Sequence, residues 1–117
     1  MSVTPETITD EMMRERLSTL KPYTIMILRK KVPKFGGPGT DKIVWEHGRR
    51  NFVLRASGKM NVICPVNDGS DVTGVCVFNA DLEETRRIYD EDPGVKAGIF
   101  TYELHPTLSF PRDALAN

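Results

Sequence analysis

The run Met60-Asn61-Val62-Ile63-Cys64-Pro65-Val66, followed by Asn67-Asp68-Gly69-Ser70 and then by Val72 through Phe78, decides the fold. Two stretches rich in β-branched and apolar residues flank a segment with turn chemistry. Asn and Asp side chains bond their own backbone there, and Gly takes a positive φ without a Cβ penalty. The pattern predicts a hairpin of strands 60–66 and 72–78. The second strand is apolar at both parities, so neither of its faces suits water.

Outward from the hairpin, the same logic fills in the rest. Toward the amino terminus, Thr40 or Asp41 stands where a helix cap is wanted, for a helix that runs to Ser57. Gly58 follows at the left-handed C-terminal position. Pro33 through Gly39 holds two prolines and three glycines and reads as a loop. Tyr23 to Val32 reads as a strand. Toward the carboxyl terminus, Asn79 is expected to cap a helix over Asp81–Tyr89, with Leu82, Thr85 and Tyr89 on one side. Asp92-Pro93-Gly94 stops that helix, and Ala97 to His105 forms the last strand before a tail of Thr107 to Asn117. Residues 1–20 differ in character and read as an accessory helical segment. Thr9 or Asp10 caps it, Met12, Met13, Leu17 and Leu20 give it a stripe, and Lys21-Pro22 ends it.

From residue 21 onward the order is strand, helix, strand, strand, helix, strand. That is an α+β, ferredoxin-like β-α-β-β-α-β domain spanning 21–117, with a four-stranded antiparallel sheet and helices on one face only. The other face then needs a cover, and a homodimer packed sheet to sheet is the expectation.

Composition sets further bounds. A chain of 117 residues suits one domain with one core. Sixteen basic residues balance sixteen acidic ones, so the basic excess of a nucleic-acid or membrane-surface binder is missing. Arg29-Lys30-Lys31 reads as a solvated strand end. The longest apolar run is short of a membrane span. The first residues lack the basic-then-apolar pattern of a leader peptide, which gives an expected cytoplasmic location. Cys64 and Cys76 match no metal or redox spacing and are expected as two buried, reduced thiols.

The helix over Asp41–Ser57 carries the most informative chemistry. On a wheel, Ile43, Val44, Trp45, Phe52 and Leu54 fall within about half the circumference, with Glu46, Arg49 and Arg50 opposite. His47 and Asn51 lie inside the apolar arc, four residues apart and stacked on one face. A buried polar group without a partner costs about 1–3 kcal/mol, so two in succession point to a polar cleft beneath this helix that could take a small-molecule ligand. His47 either works there or bonds a backbone carbonyl in the core; Asn51 either lines the cleft or ties a loop to the helix.

Asp92 is the second candidate. Proline at 93 holds it extended, which is expected to free its carboxylate from helix capping. The chain order brings this segment toward the first core helix, where the carboxylate could accept a hydrogen bond from His47 and fix its tautomer, as acid–base chemistry requires. The alternative is an ordinary turn aspartate. His105 is the third. It shares a strand face with Ile99, Thr101 and Glu103 while Phe100, Tyr102 and Leu104 face the core, so it lines an interface cavity or ends a solvated strand.

Other chemistries lack their residues. Gly36-Gly37-Pro38-Gly39 has neither the Lys-Ser/Thr of a phosphate loop nor a dinucleotide spacing. Glu46-His47 belongs to no His-Glu-x-x-His helix, and no serine sits in a Gly-x-Ser-x-Gly elbow. No metal and no cofactor are expected.

Asp92-Pro93-Gly94-Val95-Lys96-Ala97-Gly98, leading into Glu103-Leu104-His105-Pro106, is similar to the closing segment of YciI-like (YCII-related) proteins. So is a helix with an inward histidine before a hairpin. The resemblance covers Lys21 to Pro111 and implies a dimeric α/β barrel, with His47 and Asp92 as its active-site dyad. With that support the leading expectation is a small cofactor-independent enzyme using lyase or isomerase chemistry on a small organic acid or an aromatic-derived compound. Asn51 and His105, from their places on the helix and the last strand, are expected to contact substrate. The alternative is a non-catalytic dimeric module that binds a small molecule or a protein. The chain departs from the family pattern at Cys64-Pro65, where Gly-Pro is usual, in residues 1–20, and in the long Pro33–Gly39 loop.

Overall fold

The computed structural model of the chain describes residues 3–32 and 39–117. Strand β1, Lys21–Lys30, is central to the sheet. It pairs antiparallel on one side with β3, Val72–Phe78, and on the other with β4, Phe100–Ser109. The edge strand β2, Met60–Pro65, completes the order β2-β3-β1-β4 through the hairpin with β3. Two helices lie in the crossings: α2, Thr40–Ala56, between β1 and β2, and α3, Leu82–Asp90, between β3 and β4. This is the ferredoxin-like arrangement that the order of elements predicts.

Period-two alternation divides the sheet into two faces. Thr24, Met26 and Leu28 of β1, and Cys76 and Phe78 of β3, are buried under the helices. Met60, Leu54, Tyr89, Ile99 and Phe100 join them in one core. On the reverse face Ile25, Ile27, Val75 and Val77 are only half-buried, and nothing among the described residues covers them. Gly58 adopts φ 78° after α2, the left-handed conformation that ends a helix.

Several expectations need correcting. The helix after β3 is capped by Asp81, whose carboxylate accepts from the Glu84 N–H at 2.8 Å; Asn79 instead accepts from the Lys21 ammonium at 2.6 Å. No side chain caps α2, which starts from Gly39. The last strand starts at Phe100, not Ala97, because Pro93–Lys96 forms a one-turn helix, α4, and Gly98 turns left-handed at φ 74°. Cys76 is buried but Cys64 is exposed, because edge-strand residue Cys64 pairs with Val75 on the bare face. Trp45 and Phe52 are 69% and 68% exposed. The apolar arc of α2 is wider than the strip of helix that the sheet can cover.

The amino-terminal helix, α1, runs over Asp10–Leu17, shorter than the expected end at Leu20. Thr9 caps it by accepting from the Met12 N–H at 3.1 Å. None of its residues is buried; Arg16 ties it to Asp113 at 3.3 Å and covers the Phe110 ring. The expected loop over 33–38 lies outside the described residues. Among the described residues, no helix is long and apolar enough to cross a membrane.

Candidate active site

His47 sits mid-way along α2 on the strip that faces the sheet, between the half-buried Val44 and the buried Leu54. Its side chain is nearly enclosed, at 8% exposure. Asp92 is entirely buried. It follows the end of α3, and Pro93 holds it extended at φ −63°, ψ 132°. The imidazole Nδ1 lies 2.9 Å from both carboxylate oxygens of Asp92.

Asp92 also caps α4, contrary to the expectation that proline would release it from that duty. Its Oδ2 accepts from the backbone N–H groups of Gly94 at 2.9 Å and Val95 at 3.2 Å. Proline at the first helical position suits this cap, since its missing N–H is one that a helix start leaves unpaired. Three N–H donors thus converge on one fully buried carboxylate, the condition under which a buried charge is tolerated.

The other imidazole nitrogen meets a second chain of hydrogen bonds. The Asn51 amide nitrogen is 3.4 Å from His47 Nε2, and the Tyr89 hydroxyl donates to Asn51 Oδ1 at 2.7 Å. Burial first, then the charge of Asp92, pushes the Tyr89 phenol well above its ordinary value. It therefore keeps its proton and can donate. The Asp92 carboxylate only accepts, which calls for the imidazole proton on Nδ1 and leaves Nε2 to accept from the Asn51 NH₂. That turns the Asn51 carbonyl toward Tyr89.

Phe100 closes the inner side of the site, its ring centroid 4.5 Å from that of His47. This approach depends on Gly94. A Cβ there would stand 2.3 Å from the Phe100 ring, where no side chain fits.

A cavity of about 490 Å³ opens between α2 and the strands β2 and β3. Leu28, Val44, Ile63 and Phe100 form its apolar walls, and His47, Asn51 and Arg55 bring polar groups to it. A larger and more open depression, about 770 Å³, lies at the other end of β1 around Pro22, Leu82 and Leu108; it contains neither histidine. Among the described residues, no three His, Cys, Asp or Glu side chains gather as a metal site would need.

His47, Asp92 and Asn51 are thus brought together, and His105 is not. His105 pairs in register with Ile25 on the bare face of the sheet, and its Nε2 lies 2.9 Å from Glu103. Glu103 also accepts from Arg29 at 3.0 Å, and Arg29 reaches Asp71 at 2.9 Å. The His105 hydrogen bond first, then that of Arg29, holds the Glu103 carboxyl below its ordinary range. The sequence assigns Tyr89 only a helix side, Gly94 only a helix stop and Phe100 only a core-facing position, and does not single out Arg55. The four-residue spacing of 47, 51 and 55 was the available signal for Arg55; the Tyr89 and Gly94 contacts had none.

No protein-family model and no curated protein sequence matches the chain. Among solved structures, it is similar to 5-chloro-2-hydroxyhydroquinone dehydrochlorinase from Burkholderia phenoliruptrix AC1100 in complex with 2,5-dihydroxybenzoquinone. The TM-score is 0.45 at 22% identity, over 70% of this chain and 90% of that one.

Proposed function

We propose that the protein is a small cofactor-independent acid–base enzyme of YciI-like type, acting on a small organic acid or aromatic-derived compound by lyase or isomerase chemistry. One observation carries this reading: His47 Nδ1 is engaged by Asp92 at 2.9 Å while the ring also lines the cavity. A histidine so held has one nitrogen oriented by Asp92. The other carries only the long 3.4 Å contact from Asn51, which a substrate proton displaces, as a positioned general base requires.

In this mechanism Nε2 takes a proton from a carbon next to a carbonyl, and the electron pair moves into the carbonyl to give an enolate. Asp92 steadies the resulting imidazolium without itself taking the proton. As Nε2 becomes protonated it no longer accepts from Asn51, and the released Asn51 N–H holds the developing oxyanion. The enolate then either expels a leaving group from the neighbouring carbon, a lyase outcome, or recovers the proton from Nε2 at a different carbon, an isomerase outcome. No covalent intermediate is required.

The bare face of the sheet supports a homodimer as the working form. Ile25 and Val77 are opposed at its centre, and an aspartate at Ile25 should give a monomer in analytical ultracentrifugation. The test of chemistry is proton–deuterium exchange, followed by NMR in D₂O, over a panel of small keto acids and hydroxylated aromatic acids. Exchange catalysed by the wild type and lost in His47→Gln supports the reading; exchange indifferent to His47 rejects it.

A non-catalytic binding module is the second reading. The observation in its favour is the exposed apolar surface of Trp45, Phe52 and Val53 on α2 together with the unburied helix α1. Deletion of residues 1–20 should then abolish capture of a protein partner and leave the folded domain intact.

A further inference from the structure

We propose that Arg55 is the anion-recognising residue of the His47 cavity, and that the molecule bound there is a small single-ring or short-chain carboxylate or phenolate. This rests on the reading of that cavity as the ligand site, but not on its being catalytic.

His47, Asn51 and Arg55 are spaced by four along α2 and all three line the cavity, so they form one ladder on one helix face. Eight residues of helix span about 12 Å. The ladder thus sets a proton acceptor at its inner end, an amide in the middle and a cation at the outer end.

The charge inventory of the cavity is one-sided. Among the described residues that line it, Arg55 alone is charged and no carboxylate is present. Its neighbours on the helix point elsewhere. Arg49 donates to Glu46 at 3.0 Å. Arg50, which does not line the cavity, donates through Nη2 to the Ile88 carbonyl at 2.6 Å, while its buried Nη1 has no partner among the described residues. The Arg55 guanidinium has no side-chain or backbone acceptor among the described residues. Arg55 is exposed, and an arginine with no acceptor among the described residues at the rim of an apolar cavity offers a planar fork that fits a carboxylate by two parallel hydrogen bonds.

Size and polarity agree on the rest of the ligand. Cavities of roughly 300–1,000 Å³ take small organic molecules, and this one is about 490 Å³. Its walls of Leu28, Val44, Ile63 and Phe100 suit an apolar or aromatic body. The ligand is then amphiphilic: its ring lies against the walls, its reactive end meets His47, and its anion meets Arg55.

Benzoate and its neutral analogue benzamide are suitable test molecules, titrated into the isotope-labelled full chain with cavity residues followed by NMR. Benzoate should bind the wild type about tenfold more tightly than benzamide, as a charge-assisted hydrogen bond allows. Arg55→Gln should reduce benzoate to the level of benzamide without changing benzamide, Arg55→Lys should retain part of the preference, and Arg49→Gln should leave it intact. Equal affinity for the two molecules, a preference that survives Arg55→Gln, or no shift at His47 and Asn51 with either molecule would overturn the proposal. The two readings fail separately. Arg55-dependent binding with no proton exchange removes the catalytic reading alone, and exchange with no preference for anions removes this one alone.

Discussion

The imidazole of His47 and the carboxylate of Asp92 meet at 2.9 Å although forty-five residues separate them in the chain. The contact joins the middle of α2 to the start of the one-turn helix α4. A single carboxylate therefore serves two tasks at once: it caps a helix and it orients a histidine.

That double duty predicts the behaviour of Asp92→Asn. An asparagine can turn its oxygen toward His47 or toward the Gly94 and Val95 N–H groups, but its NH₂ then opposes a donor on the other side. One set of bonds is lost in either orientation. The variant should be less stable by about 1–3 kcal/mol, measured by urea denaturation, with proton exchange reduced as well. Full retention of stability would mean that the cap and the histidine contact are not simultaneous in solution.

Tyr89→Phe removes one hydroxyl and leaves the Asn51 carbonyl without its donor. The cost should be about 1–2 kcal/mol, as for a buried hydrogen bond with one partner removed. Combined with Asn51→Ala, the two changes should be non-additive by about 1 kcal/mol in a double-mutant cycle, because they act on the same chain of bonds. A sum of independent effects would show that Tyr89 does not hold the Asn51 amide.

Gly94→Ala places a methyl where the Phe100 ring lies, 2.3 Å from a ring carbon. Overpacking of this kind costs about 1–3 kcal/mol. Because Phe100 also packs on His47, the displacement should reach that imidazole and move its NMR signals. Phe100→Leu in the Gly94→Ala background should recover part of the lost stability, read by thermal unfolding.

Alkaline pH should weaken the fold through Cys76. Burial first, then the neighbouring Cys64, pushes this thiol from 9.0 up to about 12. The folded chain thus keeps a proton that the unfolded chain releases, so the contribution is complete below pH 9 and is lost as pH rises through about 12. A one-proton difference corresponds to a slope of about 1.4 kcal/mol per pH unit. Urea melts across that range should show a slope shallower by about this amount in Cys76→Ala.

The residues differ in how much of their role is legible along the chain. The hairpin turn at Asn67–Ser70, the left-handed Gly58 and the inward histidine of α2 all follow from short-range chemistry: turn residues, a missing Cβ, and helical periodicity. Trp45 and Phe52 misled for a related reason. Periodicity gives the side of a helix but not how wide a strip the sheet beneath can cover. Asp92 misled because proline fixes the backbone of the residue before it but not the partners of that residue's side chain. The one-turn helix that recruits the carboxylate depends on how Gly94 passes under Phe100.

Local patterns alone determined the ferredoxin-like order of elements, the bare apolar face and the pair His47 and Asn51, because each depends on neighbours within a few residues. Only the tertiary structure decided that Asp92 reaches His47, that Tyr89 holds Asn51, and that His105 stands on the opposite side of the sheet from the cavity. Those relations join strands and helices far apart in the chain, and their geometry is set by the pairing register and by which side chains fill the space between the layers.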